Sequence, residues 1–166
     1  LFHRVAHAAW HVDGGWVHTL DADGNILDET RDACDQAFAL LAAAWVFRQS
    51  GDERALDRAR ATLAFLDRYM TQADGSFADA VPARLPRRQN SQMHLMEAFL
   101  ALYEVTGERA FLAHAGRMIS LLIERYVDAS GFLHEFFDED WTRRERAADG
   151  VEPGHHFEWV WLLHEY

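Results

Sequence analysis

A histidine and a glutamate three residues apart, His155 and Glu158, open an apolar segment near the end of the chain. Glu152, Pro153 and Gly154 mark a turn before them, and Trp159, Val160, Trp161, Leu162 and Leu163 continue as an expected buried run. Residues at i and i+3 share a helix face, so this imidazole and this carboxylate can enter one space. The positive end of a helix dipole favours the neutral form of an imidazole, and a neutral imidazole is what general-base chemistry requires. For an isolated match the competing reading is a capped helix with two exposed histidines. Repetition along the chain argues for the first.

Gln36-Ala37-Phe38, Glu97-Ala98-Phe99 and Glu158-Trp159-Val160 recur at a spacing of 61 residues. That register makes His94 equivalent to His155, with Ala33 in the first copy. Gly14-Gly15-Trp16, Gly75-Ser76-Phe77 and Gly131-Phe132 lie upstream and predict short hairpins or extended loops. A fixed period of this size predicts stacked supersecondary units that bury a core only together.

The elements that must position these residues are helices. They are expected over 32–49, 53–71, 91–105 and 111–126, with a fifth from about Pro153. Ser50-Gly51-Asp52 and Thr106-Gly107-Glu108 are the stop signals. Segment 53–71 sets Leu56, Ala59, Leu63, Leu66 and Tyr69 on one face with arginines opposite. Segment 111–126 turns Leu112, Ala115, Met118, Ile119, Leu122 and Ile123 inward, whereas 32–49 and 91–105 are apolar nearly all round. Apolar inner helices alternating with amphipathic outer ones predict an all-α fold of two concentric layers, an α/α toroid. Each inner helix would deliver its first residues to a common cavity.

Bulk properties narrow the class further. With 49% hydrophobic residues the chain can form a core, and no run approaches the ~20 apolar residues of a membrane span. A net charge of −11 argues against nucleic acid as a partner. The single cysteine, Cys34, excludes an internal disulfide and, with no secretory leader in view, places the expectation in the cytoplasm. The absence of an initiator methionine, and an end inside an apolar helix, lead to the expectation that residues 1–166 are one partial barrel domain truncated at both ends.

Two segments carry a family resemblance: Arg88-Gln89-Asn90-Ser91-Gln92-Met93-His94-Leu95-Met96-Glu97-Ala98, continued by Leu102-Tyr103-Glu104 and Thr106-Gly107, and the stretch from Glu152 to Leu163. Together with Asp35-Gln36-Ala37-Phe38 and the run from Glu135 to Trp141, they resemble the N-acylglucosamine 2-epimerase superfamily, which includes cellobiose 2-epimerases, mannose isomerases and sulfoquinovose isomerases. The resemblance implies an (α/α)6 barrel roughly twice this length, of which the chain would be about half the ring. It implies that His155 is one of two acid/base histidines and that Glu158 bonds the sugar and supports it. It also implies that Asn90 and His94 contact the sugar near the reacting carbons. The second acid/base histidine would lie beyond residue 166 and a substrate-binding arginine before residue 1. Cys34 stands where many members carry a tyrosine.

The chemistry expected is removal of the C2 proton of an open-chain aldose through an enediol, with imidazoles exchanging the proton and His94 among the groups holding the oxyanion. Aldose–ketose isomerisation of the mannose–fructose kind is favoured over N-acylglucosamine 2-epimerisation. The partner is a small sugar; no metal or other cofactor is required, and monomer and homodimer are both left open. Arg88, Trp141 and Gln36 are candidate substrate contacts. Arg84, Arg87 and Arg88 could bind a phosphate or sulfonate, or be solvated or paired with carboxylates. Trp16 and Trp141 are better stacking candidates than Trp159 and Trp161. His156 is read as structural, and His3, His7, His11 and His18 as surface residues. Zinc on His94, His155 and Glu158 fits no tight ligand spacing. A glycoside hydrolase using Glu135, Asp138 or Glu158, and a non-catalytic helical module, are the alternatives of another class.

Overall fold

The computed structural model describes residues 1–144 and 150–166. Three inner helices, α2 (Ala33–Ser50), α4 (Gln89–Thr106) and α6 (Pro153–Glu165), alternate with outer helices α3 (Glu53–Phe65) and α5 (Arg109–Leu121). A short helix α1 (Phe2–Ala8), which the sequence reading did not assign, precedes the first loop. Each outer helix ends in one π-helical turn, Leu66–Met70 and Leu122–Tyr126, which delivers the fully buried Met70 or Tyr126. Six short strands pair as three two-stranded ribbons on the loops: β1 (Thr19–Leu20) with β2 (Ile26–Asp28), β3 (Arg31–Asp32) with β4 (Ala80–Val81), and β5 (Arg87–Arg88) with β6 (Phe136–Phe137).

Local chemistry sets the helix ends. Asp32 and Asp52 cap α2 and α3, their side chains accepting from the Cys34 and Arg54 amides. Gly51 and Gly107 close α2 and α4 with φ of 66° and 70°, a conformation that costs a residue with a Cβ but not glycine. The inner helices are parallel: Cys34 meets Ser91 near their starts and Arg48 meets Glu104 near their ends. Ala33, Ala37, Leu40, Ala43 and Ala44 of α2 are buried with Met93, Met96, Phe99 and Leu102 of α4 in one cluster. Leu56, Ala59 and Phe65 close it from α3, and Phe111, Ala115 and Met118 from α5. Burying one such leucine or phenylalanine contributes about 1.5–3 kcal/mol. The result is an arc of the expected two-layer (α/α)6 toroid.

Two expectations change. The helices do not repeat at 61 residues: Ala33 to Gln89, Glu53 to Arg109 and Gly51 to Gly107 are each 56 apart, and Gln89 to Pro153 is 64. Only the first loop keeps 61, where the Trp10–Trp16 bridge becomes Thr71–Phe77 before recurring 56 later as Val127–Leu133. Unequal loops between hairpin and helix cause the offset. The terminal run is also not uniformly buried: Trp159 and Leu162 are inside, while Val160, Trp161 and Leu163 are exposed. One helix packs only its inward stripe, and α6 packs chiefly on α4.

Candidate active site

Each inner helix starts with the same two contacts. Its fourth residue clamps the backbone of the preceding hairpin. Gln36 accepts from the Trp16 amide at 2.8 Å and donates to the Trp16 carbonyl at 2.9 Å. Gln92 does the same to Phe77 at 3.1 and 2.9 Å, and His156 Nε2 accepts from the Leu133 amide at 2.9 Å. The third residue meets the side chain two positions beyond that hairpin residue: Asp35 with His18 at 2.7 Å, Ser91 with Asp79 at 2.8 Å, and His155 with Glu135 at 2.9 Å. One slot is thus filled three times by different chemistry.

In the third slot His155 Nδ1 faces Glu135 Oε1, and both side chains are largely enclosed, 15% and 6% exposed. Glu135 Oε2 accepts from Gln89 Nε2 at 2.7 Å, and Gln89 Oε1 accepts from the Trp159 indole at 2.7 Å. An indole only donates, which fixes the orientation of the Gln89 amide. Gln89 Nε2 also stands 3.2 Å from His155 Nδ1, but its proton is directed to Glu135 Oε2 at the shorter 2.7 Å. A carboxylate only accepts, so the proton of a neutral His155 lies on Nδ1, toward Glu135, and the lone pair on Nε2. Asn90 Nδ2 stands 3.4 Å from that Nε2, and Glu152 Oε2 is 3.6 Å away. The Asn90 Oδ1 is buried and has no protein partner among the described residues. One helix over, His94 holds Glu97 at 3.0 Å through Nδ1 and lies on Phe38 with ring centroids 4.9 Å apart.

Asn90 thus meets His155, and His94 lies one turn further along the same helix as Asn90, but Glu158 makes no bond to His155 among the described residues. The true register equates Glu158 with His94 and Phe38, one turn further along the helix. Glu135 meets His155 instead. The sequence marks Glu135 only as a candidate carboxylate and does not pair it with His155, because the two lie 20 residues apart across a loop of unequal length.

Three proposed substrate contacts are spent elsewhere. Gln36 is fully buried and both ends of its amide serve Trp16. Arg88 bonds Asp79 through Nε at 2.9 Å and Asp32 through Nη2 at 2.9 Å, and Arg84 also reaches Asp32. Burial disfavours the Arg88 cation, but Asp79 and Asp32 outweigh it and hold its pKa above the ordinary value. Burial pushes the Asp79 carboxyl up, against the bonds from Ser91 and Arg88. Trp141 donates to Asp74 at 2.5 Å, carries the Arg87 guanidinium 3.6 Å above its ring, and has φ of 66°. Arg87 itself bonds Ser76 and the Glu139 carbonyl. The arginine loop is thus paired with carboxylates rather than left open to an anion. Trp16 is 5% exposed with its indole on Thr62, so it offers no stacking face. His11 is also buried rather than superficial.

Among the described residues no group of three metal-ligating side chains comes together, and no helix is long and apolar enough to cross a membrane.

The chain is 40% identical over 158 residues to a mannose-6-phosphate isomerase of Rhizobium meliloti (strain 1021), aligning 90% of itself with 41% of that protein. It is 34% identical over 165 residues to a D-mannose isomerase of Thermobifida fusca, covering 90% of itself and 40% of the relative. The structure of cellobiose 2-epimerase from Spirochaeta thermophila DSM 6192 superposes with a TM-score of 0.88 at 25% identity, over 97% of this chain and 44% of that one. The chain thus spans about two-fifths of the length of the curated relatives it matches. The N-acylglucosamine 2-epimerase (GlcNAc 2-epimerase) family matches residues 2–166, and the chain belongs to that family.

Proposed function

We propose that the protein is a sugar isomerase that moves the C2 proton of an open-chain aldose, with His155 as the base in this part of the molecule. The observation that carries the reading is the enclosed Glu135–His155 pair, whose orientation leaves Nε2 free to take a proton beside Asn90. In this scheme Nε2 accepts the C2 proton and the C–H electron pair forms the C1–C2 double bond. The carbonyl oxygen becomes the enediolate oxygen and is protonated. Return of a proton to C1, with loss of the O2 proton, gives the ketose. Asn90 supports the scheme because an unpartnered buried acceptor costs about 1–3 kcal/mol, which a sugar hydroxyl would recover. His94, fixed on Glu97 and Phe38, is the side chain best placed to hold the oxygen on which charge develops. Gln36 and Arg88 have no part in it.

Mannose–fructose interconversion is the preferred reaction, since the relatives at 40% and 34% identity are named as mannose-6-phosphate and D-mannose isomerases. Return of the proton to C2 from the opposite face, giving the C2 epimer, is the second reading, favoured by the likeness to a cellobiose 2-epimerase. A glycoside hydrolase needs two carboxylates flanking the scissile bond; here Glu135 is committed to His155 and Gln89.

The test is proton NMR of the full-length protein in D2O with mannose, mannose 6-phosphate, fructose and N-acetylmannosamine. Deuterium incorporation with a ketose product is expected. Epimer without ketose would replace the first reading by the second, and no exchange with any of these sugars would overturn both.

A further inference from the structure

We infer that Glu135 is a positioning residue that sets the tautomer of His155 for proton abstraction; this rests on the role proposed above for His155. Three observations converge on it. The slot it occupies is built by the fold, since the loop side chain and the third helical residue meet in all three repeats at 2.7–2.9 Å. Among the described residues, only the third repeat sets an enclosed carboxylate against an imidazole with no arginine between them. In the second, Arg88 holds Asp79, and the residue at the corresponding helix cap in the third is Glu152. Finally, Glu135 is itself immobilised by a relay: the Trp159 indole fixes Gln89, whose amide NH2 fixes Oε2, which leaves Oε1 for His155. A group that only needed burial would not require a directed relay from a neighbouring helix.

The relay makes the consequence of Glu135→Gln specific. Gln89 Nε2 keeps the new amide's oxygen, so the new NH2 faces His155 Nδ1. It then donates to Nδ1 and drives the ring proton to Nε2. The nitrogen nearest Asn90 is thereby no longer a base. A misplaced tautomer of this kind lowers kcat by about 10²–10⁴-fold without removing the imidazole.

The experiment uses the full-length protein with 15N-labelled histidine. In the wild type, the His155 resonances, assigned by loss in His155→Gln, are expected to report the Nδ1–H tautomer. In Glu135→Gln they are expected to shift to Nε2–H, with kcat falling at least 100-fold and KM changing less than threefold. Glu135→Asp, which retains an acceptor, is expected to keep the Nδ1–H signature and regain part of the rate. An Nε2–H tautomer in the wild type would overturn the inference, as would a Glu135→Gln protein with kcat within threefold of wild type. The tautomer readout needs no substrate, so it stands apart from the sugar reaction. If deuterium exchange is absent while the tautomer follows Glu135, it is the proposed reaction that fails.

Discussion

The second and third repeats place the same backbone positions at the same slot and use them for opposite ends. Asp79 meets Ser91 where Glu135 meets His155, at 2.8 and 2.9 Å. In the second repeat a guanidinium ties the slot shut: Arg88 joins Asp79 to Asp32 across the boundary between two inner helices. In the third there is no such cation among the described residues, and the carboxylate is held by a neutral amide instead. An amide orients without cancelling charge. The comparison teaches that the fold supplies a carboxylate-to-helix contact at each inner helix start, and that the residues around it decide between a structural clamp and a reactive pair.

The comparison breaks most completely at His155. His155→Ser converts the third slot into the second, and proton transfer is expected to fall by about 10²–10⁴-fold, read as deuterium exchange at sugar C2, with the fold intact by circular dichroism. Next in size is the clamp. Arg88→Met leaves Asp79 buried without its cation, Asp32 keeping Arg84, and loss of one partner of such a network costs about 3–5 kcal/mol, measurable as a lower denaturant midpoint. Smaller again, Ser91→Ala removes one donor to Asp79 and is expected to cost about 1–3 kcal/mol. Its exchange rate should stay within threefold of wild type, since Ser91 bonds Asp79 and Cys34 and not His155. A large loss of rate in that variant would mean that the two slots are one functional unit.

The mildest effect separates acid sensitivity of the second repeat from the site. His114 on α5 is buried against Phe77 and Phe99, and burial, assisted by Arg117, holds its pKa below the ordinary 6.5. The unfolded chain therefore takes up this proton more readily than the folded one. Stability from this group is fully present above pH 6.5 and declines as pH falls below it. His114→Phe is expected to flatten stability against pH in that range, followed by thermal unfolding at several pH values. An unchanged slope would assign the acid sensitivity elsewhere.

Much of the fold was legible because its signals are short-range. The stops at Gly51 and Gly107, the caps at Asp32 and Asp52, and the amphipathic faces of the outer helices each depend on a few neighbouring residues. The spacing of those two glycines, 56 residues, already carried the true offset of the first two inner helices. The 61-residue match of Gln36 with Glu97 and Glu158 obscured it, because the hairpins of the first two repeats do lie 61 apart. That shift paired His155 with the wrong residue in the second helix, although its own identity as a site candidate came from the turn and motif around it.

The sequence by itself determined an all-α chain of alternating apolar and amphipathic helices, because helix periodicity and caps are local properties, and the resemblance of its contiguous motifs pointed to His155, Asn90 and His94. Only the tertiary structure decided which carboxylate serves His155, and that Gln36 and Arg88 are consumed within the framework. Those outcomes depend on contacts made between chain positions 20 or more residues apart, apart from the local bond of Arg88 to Asp79, and on loops whose unequal lengths set the register. A hydrogen bond is decided by where two groups end up within about 3 Å of each other, and no local pattern encodes that distance.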